Sequence, residues 1–560
     1  MAPSRLTLRI CLVIFLAGFL VFGAISLFLG QDISWDLKNY HYYNAYALIH
    51  GRLEYDYAPA QLQTYIANPF LDLPFYILTG SLKAFKVGFL MGGIHGLNFG
   101  LLFLIAWLFL KHEKTRWRWF LSLLFSIAGS FCLVNIIELG TTMNDNLVSL
   151  FVLASLIVVL SRVFTEEHLA VGPALFLGNF LIGCGAGLKW TVLSYAGGFL
   201  IALFLASFLM GGFLKSCKVL FIGCLGLLAG ILAVDGYWAL QLWQKFGNPL
   251  FPFCNHLFKS PFIATDNLNP YLPMLPKTLI QAMFRPFYFV VYGNTSLELS
   301  FREITLATVY ILFVIVLLVF IYRLAVDCWL ARKDERSRHQ PESALCRFRI
   351  YLSADEDRVR RLFIFAFFIA SYIIWESLFS YYRYLIVLEF LSPLVIYLLL
   401  SILLKEKRIR LTVFLFILAL VFLTTSYATS YGRMNWSDNY FDVRIPHVDQ
   451  HSIVVFSSEN PRSYLVPFFS PDIRFISIYN NFNYVYVKNE YSEEISKIID
   501  GQKAPIYLLA SEEELSQGQK SLAPYGLEIL RSKKEKIHSK LDSDLSLYVL
   551  HKRVFSAADN

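Results

Sequence analysis

Two acidic motifs in this chain could carry proton chemistry at a membrane surface. One follows the first long apolar stretch and reads Trp35-Asp36-Leu37-Lys38-Asn39-Tyr40-His41; the other precedes a later stretch and reads Asn144-Asp145-Asn146. An ionisable group at a lipid–water boundary costs free energy unless it is solvated or paired, so such carboxylates are functional candidates. Asp36 is a candidate general base. Asp145 could orient a substrate, or it could only cap the helix predicted from Leu147.

Aromatic and imidazole side chains accompany the first motif. Tyr40, His41 and Tyr43 are candidate substrate-binding residues, although tyrosines at an interface are also typical of an aromatic belt. His41 could join Asp36 and Asp145 as a metal ligand, but the spacing matches no zinc signature, and a hydrogen-bonded histidine is the simpler interpretation. The sequence predicts no metal and no other cofactor.

Three basic residues could bind a phosphate. Lys189 and Arg383 each lie at the end of a predicted span, and Arg302 is a third candidate. Lysine offers a point charge and arginine a two-pronged donor for phosphate oxygens. The alternative for the first two is ordinary headgroup contact by snorkelling side chains. Arg302 could instead pair with Glu298 or Glu303, and Glu298 is itself a substrate-binding candidate.

The elements that must position these residues are membrane helices. Hydrophobic residues make up 56% of the 560 positions and charged residues only 16%, which is too apolar for an ordinary soluble domain. The fold class is therefore an α-helical polytopic membrane protein. About eleven stretches are long enough to cross hydrocarbon; they are 10–29, 87–110, 120–137, 147–163, 175–188, 191–210, 219–240, 304–330, 362–379, 385–404 and 411–425.

Basic residues near the ends of these stretches predict the orientation. They cluster before the first stretch and in 111–118, 215–218, 332–361 and 405–410, which the positive-inside rule places in the cytoplasm together with the N-terminus. Segments 30–86 and 241–303 then lie outside, as do both acidic motifs. The net charge of +8 is mostly this topology signal, with anionic lipid as the partner and nucleic acid excluded.

The last part of the chain has a different composition. Residues 1–428 form the predicted membrane module, whereas in 429–560 short apolar runs alternate with helical patterns. This alternation predicts a small α/β domain outside the cytoplasm.

At these motifs the chain resembles the GT-C superfamily of membrane glycosyltransferases, which includes protein O-mannosyltransferases and lipid A aminoarabinose transferases. Asp36 matches the acidic residue that follows the first span in such enzymes, and Asp145 matches the one that starts a later span. Four further segments resemble bacterial members: 185–191, 246–252, 298–303 and 381–384. The resemblance extends to about residue 404. The first acidic site departs from a strict Asp-Glu pair, which leaves metal dependence open.

The resemblance implies an inverting glycosyltransferase in the bacterial inner membrane, with its C-terminal domain in the periplasm. It would move a sugar from a polyprenyl-phosphate donor to an envelope glycolipid, polysaccharide or protein. Asp36 would take the acceptor proton and Asp145 would orient the site, while Lys189, Arg383 and Arg302 would stabilise the leaving phosphate. The alternatives are a transporter or lipid flippase, which would more often carry polar residues at mid-span in paired halves, and a polysaccharide polymerase or ligase.

Overall fold

The computed structural model describes residues 5–163, 171–264, 271–291, 299–333, 356–427, 430–479 and 488–552. Helices dominate the first of its two parts. The long ones are α1 (Arg5–Leu29), α2 (Ala84–Phe109), α3 (Thr115–Ser130), α4 (Asp145–Arg162), α5 (Val171–Leu188), α6 (Leu193–Phe246), α7 (Thr305–Lys333), α8 (Glu356–Leu378), α9 (Ile386–Leu403) and α10 (Lys407–Thr424).

Eight helices of the described ranges are long and apolar enough to cross a membrane. Two of the predicted stretches, 191–210 and 219–240, lie within α6, which consists of two helices joined at a kink, because Gly212 leaves the helical conformation (φ 79°, ψ −174°). Predicted stretch 120–137 is also divided, since α3 ends at Ser130 and a short helix, Leu133–Glu138, follows. The fold is thus compatible with a multi-pass membrane protein, while the number of eleven crossings stays a prediction.

Helix α9 lies at the centre of the bundle. Its apolar stretch is 89% buried, against 11% for the stretch in α7, which faces outward. Helices α1 and α2 make an especially close pair because glycines meet where they cross. A methyl group added at Gly96 would lie 2.4 Å from the carbonyl oxygen of Gly18, so only glycine allows this approach.

Charged side chains gather at two opposite ends of the bundle. At one end, Lys111 pairs with Asp357 at 2.9 Å, and Lys407 pairs with Glu113. These residues lie in the segments predicted to be cytoplasmic. The other end is formed by the C-termini of α1 and α5 and the N-termini of α4 and α9, and it carries the acidic motifs.

Short helices and turns fill the segments at this second end. The short helices are Tyr42–Ile49, Gln63–Ile66, Leu73–Ser81, Leu133–Glu138, Asn255–Phe258, Leu279–Met283 and Arg285–Val291, and the 3-10 turns are Pro69–Leu71, Trp190–Val192, Leu272–Met274 and Tyr382–Leu385.

The C-terminal part contains a five-stranded mixed sheet. Its strands are β1 (Ile453–Phe456), β2 (Arg474–Ser477), β3 (Ile506–Ser511), β4 (Leu527–Lys536) and β5 (Leu545–Lys552), in the order β2-β1-β3-β5-β4. The three strands β2, β1 and β3 run parallel, and β5 pairs antiparallel with both β3 and β4. Helices α11 (Glu490–Gly501) and α12 (Leu515–Leu522) and 3-10 turns Ser463–Phe468, Glu512–Glu514 and Ala523–Tyr525 complete this part.

Two short strand pairs reinforce this arrangement. Gln31–Asp32, just after α1, pairs antiparallel with Arg433–Met434, and Val443–Arg444 pairs with His538–Ser539. The Arg433 guanidinium also donates to the carbonyl oxygens of Gly30, Ile137 and Leu139. The C-terminal part is therefore fixed directly to the end of the bundle that carries the acidic motifs.

Candidate functional site

Four side chains from distant parts of the sequence meet at this end of the bundle. Asp36 follows the strand after α1, and Lys189 follows the last residue of α5. Arg383 lies in the 3-10 turn that leads into α9. Asp145 is the first residue of α4, which begins after Asn144 in the left-handed conformation (φ 66°). Asparagine tolerates this conformation better than most residues, so the helix can start abruptly here.

Arginine and lysine connect the two carboxylates. Arg383 Nη2 lies 3.1 Å from Asp36 Oδ2, and its Nε lies 3.4 Å from Asp145 Oδ2. Lys189 Nζ lies 2.7 Å from Asp145 Oδ1 and donates at 2.7 Å to the carbonyl oxygen of Met143. The cluster therefore alternates in charge, with one cation shared between the two acids.

The Asp36 carboxylate is the more accessible acid of the cluster. Its side chain is 14% exposed, whereas that of Asp145 is only 2% exposed. Burial alone would raise the pKa of Asp36, but the charges of Arg383, His41 and Lys189 outweigh burial and lower it. Asp36 is consequently ionised at neutral pH, and Tyr40 donates a hydrogen bond to it at 3.0 Å.

A turn of π-helix, Leu37–His41, begins directly after Asp36. Such wide turns are rare and often occur at functional sites. This turn directs His41 toward a buried partner, Asp72: His41 Nδ1 lies 2.6 Å from Asp72 Oδ1. Asn144 donates to the same oxygen at 2.7 Å. Burial raises the pKa of Asp72 in spite of these two partners.

Glu138 is another buried acid, beside Asp145. Burial first, and then the Asp145 carboxylate, raise the pKa of Glu138 well above its ordinary value. A raised pKa favours the protonated, neutral form of Glu138. The two acids Asp36 and Asp145 are paired with the two cations Arg383 and Lys189.

A second buried acidic pair supports the turn that holds Arg383. The Tyr382 hydroxyl lies 3.0 Å from Glu303 Oε2 and 2.6 Å from Glu389 Oε1. Glu303 also accepts from the backbone amide of Thr305 at 2.5 Å, and burial raises the pKa of this carboxyl. Tyr382, the residue before Arg383, is therefore held in place by hydrogen bonds to two buried glutamates.

The remaining predicted residues lie elsewhere. The Tyr43 hydroxyl donates to Asp56 at 3.0 Å inside the core shared by segment 30–86 and the C-terminal part. The Arg302 side chain is exposed, and its backbone amide donates to Ser426. Neither residue contacts the cluster, so a phosphate-binding role for Arg302 has no support in the geometry. Glu298 lies outside the described residues.

The alternative that Asp145 only caps the following helix does not match the observed contacts. Asn144, not Asp145, is the residue before the helix, and its side chain makes no capping hydrogen bond. It donates to Asp72 instead, while the Asp145 carboxylate pairs with the two cations.

Two acids of the site, Asp72 and Glu138, were not selected from the sequence. Each is a lone carboxylate within an otherwise apolar stretch, Phe70-Leu71-Asp72-Leu73 and Ile136-Ile137-Glu138-Leu139. That pattern is itself a signal, since an ionisable residue among apolar neighbours requires a partner. In the part of the chain that the structure describes, no three His, Cys, Asp or Glu residues are grouped as metal ligands.

Comparisons of the chain with models of known protein families, with curated proteins and with solved structures gave no match. The chemistry of the cluster is therefore the basis for any assignment of function.

Proposed function

We propose that the protein is an inverting, GT-C-like glycosyltransferase of the bacterial inner membrane that uses a polyprenyl-phosphate sugar. The observation that carries this proposal is the junction of Asp36 and Asp145 through Arg383, with Lys189 beside them. One acid able to accept a proton and two cations able to hold a phosphate thus lie together at one end of the bundle.

The proposed reaction is a single displacement at the anomeric carbon. The acceptor hydroxyl oxygen forms a bond to that carbon while the bond to the phosphate oxygen breaks. The hydroxyl proton passes to Asp36, and the polyprenyl phosphate leaves with the electron pair. One displacement inverts the anomeric configuration.

The two cations have a clear electrostatic role in this step. The phosphate gains negative charge as the bond breaks, so Arg383 and Lys189 stabilise the transition state more than the ground state. In the structure, Arg383 is paired with Asp36 at 3.1 Å. A bound phosphate competes for the guanidinium and weakens this pairing, which makes the Asp36 carboxylate a better proton acceptor.

The placement of the cluster supports a reaction at the outer face. The opposite end of the bundle holds Lys111, Lys407 and their acidic partners, in segments whose basic residues favour the cytoplasm. A lipid-linked donor presents its phosphate at headgroup level, and in this proposal the helix ends that carry Lys189 and Arg383 lie at that level.

The test is the Asp36→Asn variant. Asparagine keeps the size of the side chain but cannot take the acceptor proton, so turnover should fall by about a hundredfold or more while the protein accumulates normally. The assay uses purified protein and a labelled polyprenyl-phosphate sugar. The acceptor comes from mass spectrometry of envelope glycans with and without the gene, since the missing sugar identifies donor and acceptor together.

Asp438→Asn is the matched control, because that carboxylate is 95% exposed and lies away from the cluster. Its turnover should equal that of the unchanged protein. Near-normal turnover in Asp36→Asn would exclude Asp36 as the base, and absence of any sugar transfer by the unchanged protein would exclude the function.

A further inference from the structure

A cavity with a largely apolar wall and several charged side chains lies between the C-terminal end of α6, segment 30–86 and the C-terminal part. Its volume is about 450 Å³, within the range of small-molecule sites. Its lining contains none of Asp36, Asp72, Asp145, Lys189 and Arg383. The cavity is therefore separate from the cluster described above.

One cation of this cavity, Lys245, is held in a fixed position. Its Nζ lies 5.3 Å from the ring centre of Tyr65 and 5.7 Å from those of Tyr57 and Phe246. It donates at 2.9 Å to the carbonyl oxygen of Leu53. An ammonium has three N–H donors, and among the described residues this carbonyl is the one hydrogen-bond acceptor of Lys245. Donors remain for a ligand, and no ordering of a flexible side chain is required.

A second cation, Arg474, faces the same space from strand β2. Its guanidinium stacks over Tyr55 at 5.6 Å, and its Nε is buried without a hydrogen-bond partner in the described ranges. A buried donor without an acceptor is costly, and a ligand oxygen would remove that cost. Lys497 of α11 adds a third, exposed cation at the rim.

The other polar groups of the lining suit hydroxyl groups. Glu54 and Glu494 provide carboxylate acceptors, and Gln241 and Gln244 provide amides that both donate and accept. Within the described ranges, neither glutamate forms an ion pair within 4.0 Å with the cations of the lining. Three cations face two carboxylates, so the lining carries a net positive charge.

We infer that this cavity binds a hydroxyl-rich anion, of the class of a sugar phosphate, a uronic acid or a glycerophosphate headgroup. The anion would contact Lys245, Arg474 and Lys497, and the hydroxyls would contact the glutamates and glutamines. Exposed Tyr237 and Trp243 on the same stretch of α6 place the cavity near the aromatic belt, where lipid headgroups and lipid-linked glycans both lie. This inference does not depend on the proposed function.

The test measures binding to the full-length purified protein in detergent by saturation-transfer NMR. The probes are glucose 1-phosphate, glucuronate and glucose. Both anions should bind saturably, and neutral glucose at least about tenfold more weakly, since it lacks the charge-assisted hydrogen bonds. Arg474→Gln and Lys497→Gln should each weaken binding of the anions about tenfold; Lys497 is exposed, so its replacement leaves the core intact.

One control makes the result specific. Lys503→Gln removes an exposed lysine of the C-terminal part that does not line the cavity, so this variant should bind the anions normally. The inference is wrong if neither anion binds, or if Lys503→Gln reduces binding as much as Lys497→Gln does.

A second arm distinguishes the two sources of the anion. Glucose 1-phosphate binding is compared in nanodiscs of phosphatidylcholine alone and with phosphatidylglycerol. If phosphatidylglycerol weakens binding of glucose 1-phosphate, and if this competition is lost in Lys497→Gln, a lipid headgroup is the ligand. Equal binding in both discs identifies a soluble or glycan-linked anion.

Discussion

At the scale of single residues, the site is defined by one arginine shared between two acids. Arg383 contacts Asp36 through Nη2, Asp145 through Nε and the Met143 sulfur through Nη1 at 2.8 Å. These contacts use three different nitrogens of one planar group. No other side chain offers donors in that arrangement. Another residue of the same charge therefore cannot replace Arg383.

Under the proposed function, replacing Arg383 by lysine should raise the KM for the proposed lipid-linked donor about tenfold or more, because lysine keeps the charge but loses the forked arrangement of donors. Arg383→Ala should also lower the thermal midpoint in detergent, since it leaves two buried carboxylates without their shared partner. Both predictions are checked by measuring the KM for the donor and the thermal midpoint in detergent for Arg383→Lys and Arg383→Ala. Unchanged KM in Arg383→Lys would return this residue to a purely structural role.

A second prediction concerns Glu138, whose pKa is raised by burial and by Asp145. The folded protein holds this proton more tightly than the unfolded chain, so the stability it contributes is present at low pH and is lost as pH rises through the folded pKa. Glu138→Gln has no proton to lose. Its melting temperature should fall less than that of the unchanged protein between about pH 5 and pH 9.

The matched control is Glu406→Gln, an exposed glutamate at the opposite end of the bundle, which should leave the pH profile of melting unchanged. Identical profiles for Glu138→Gln and the unchanged protein would mean that Glu138 is ionised in the folded state.

At the scale of elements, two adjacent helices set the position of the first motif. Helix α1 leads to Asp36, and it packs on α2 through the contact of Gly18 with Gly96. Any side chain at position 96 would push the helices apart. A shift of α1 would in turn move Asp36 away from Arg383.

Gly96→Val should therefore cost about 1–3 kcal/mol or more of stability and reduce any activity of the site. Gly236→Val is its control, because a methyl group at Gly236 meets nothing within 4 Å. The measurement is the melting temperature in detergent, which should fall in Gly96→Val and not in Gly236→Val. Equal melting temperatures would show that α1 and α2 can separate without cost.

Most strands of the C-terminal sheet can be predicted from the sequence. Four apolar runs in the sequence, 452–456, 473–478, 505–509 and 545–550, predict strands and overlap β1, β2, β3 and β5. Strand β4 was missed because Leu527–Lys536 becomes rich in charge toward its end, as is typical of an edge strand protected from aggregation. Periodicity detects half-buried strands and apolar helices, whereas an exposed edge lacks that pattern.

Prediction of the site had a similar limit. The sequence predicts Asp36, Asp145, Lys189 and Arg383 as site residues because each lies near the end of an apolar stretch, and because the two acids match the GT-C resemblance. The partners of Tyr43 and Arg302 depend on how the outer segments fold back, which no helical pattern encodes. Tyr43 is bound to Asp56 and Arg302 faces solvent for this reason.

At the scale of the whole molecule, the C-terminal part is tied to the membrane part by polar contacts. The Arg433 guanidinium binds three carbonyl oxygens at the ends of α1 and of the short helix before α4.

Arg433→Ala should leave these carbonyls without their donor and lower the melting temperature, at a cost of about 2–4 kcal/mol. Arg444→Ala, at an exposed arginine of the same part, should have little effect. Equal melting of the two variants would argue against a tie through Arg433.

The orientation of the molecule is tested with single cysteines in a background without native ones. A cysteine at Lys503 should react with a membrane-impermeant reagent in intact spheroplasts, and one at Arg116 only after lysis, since the two lie at opposite ends of the bundle. The reverse labelling pattern would place the site in the cytoplasm.

The pairing of Arg383 with Asp36 spans 347 positions of the chain. A ribosome adds about 5–20 residues per second, so Asp36 is synthesised about 20–70 seconds before its arginine. Throughout that interval the nascent protein has its first acids in place and lacks the cation that joins them. The site is thus completed late in synthesis, and a chain that ends before the turn of Arg383 carries Asp36 without its cation, by which quality control can distinguish it from the finished protein.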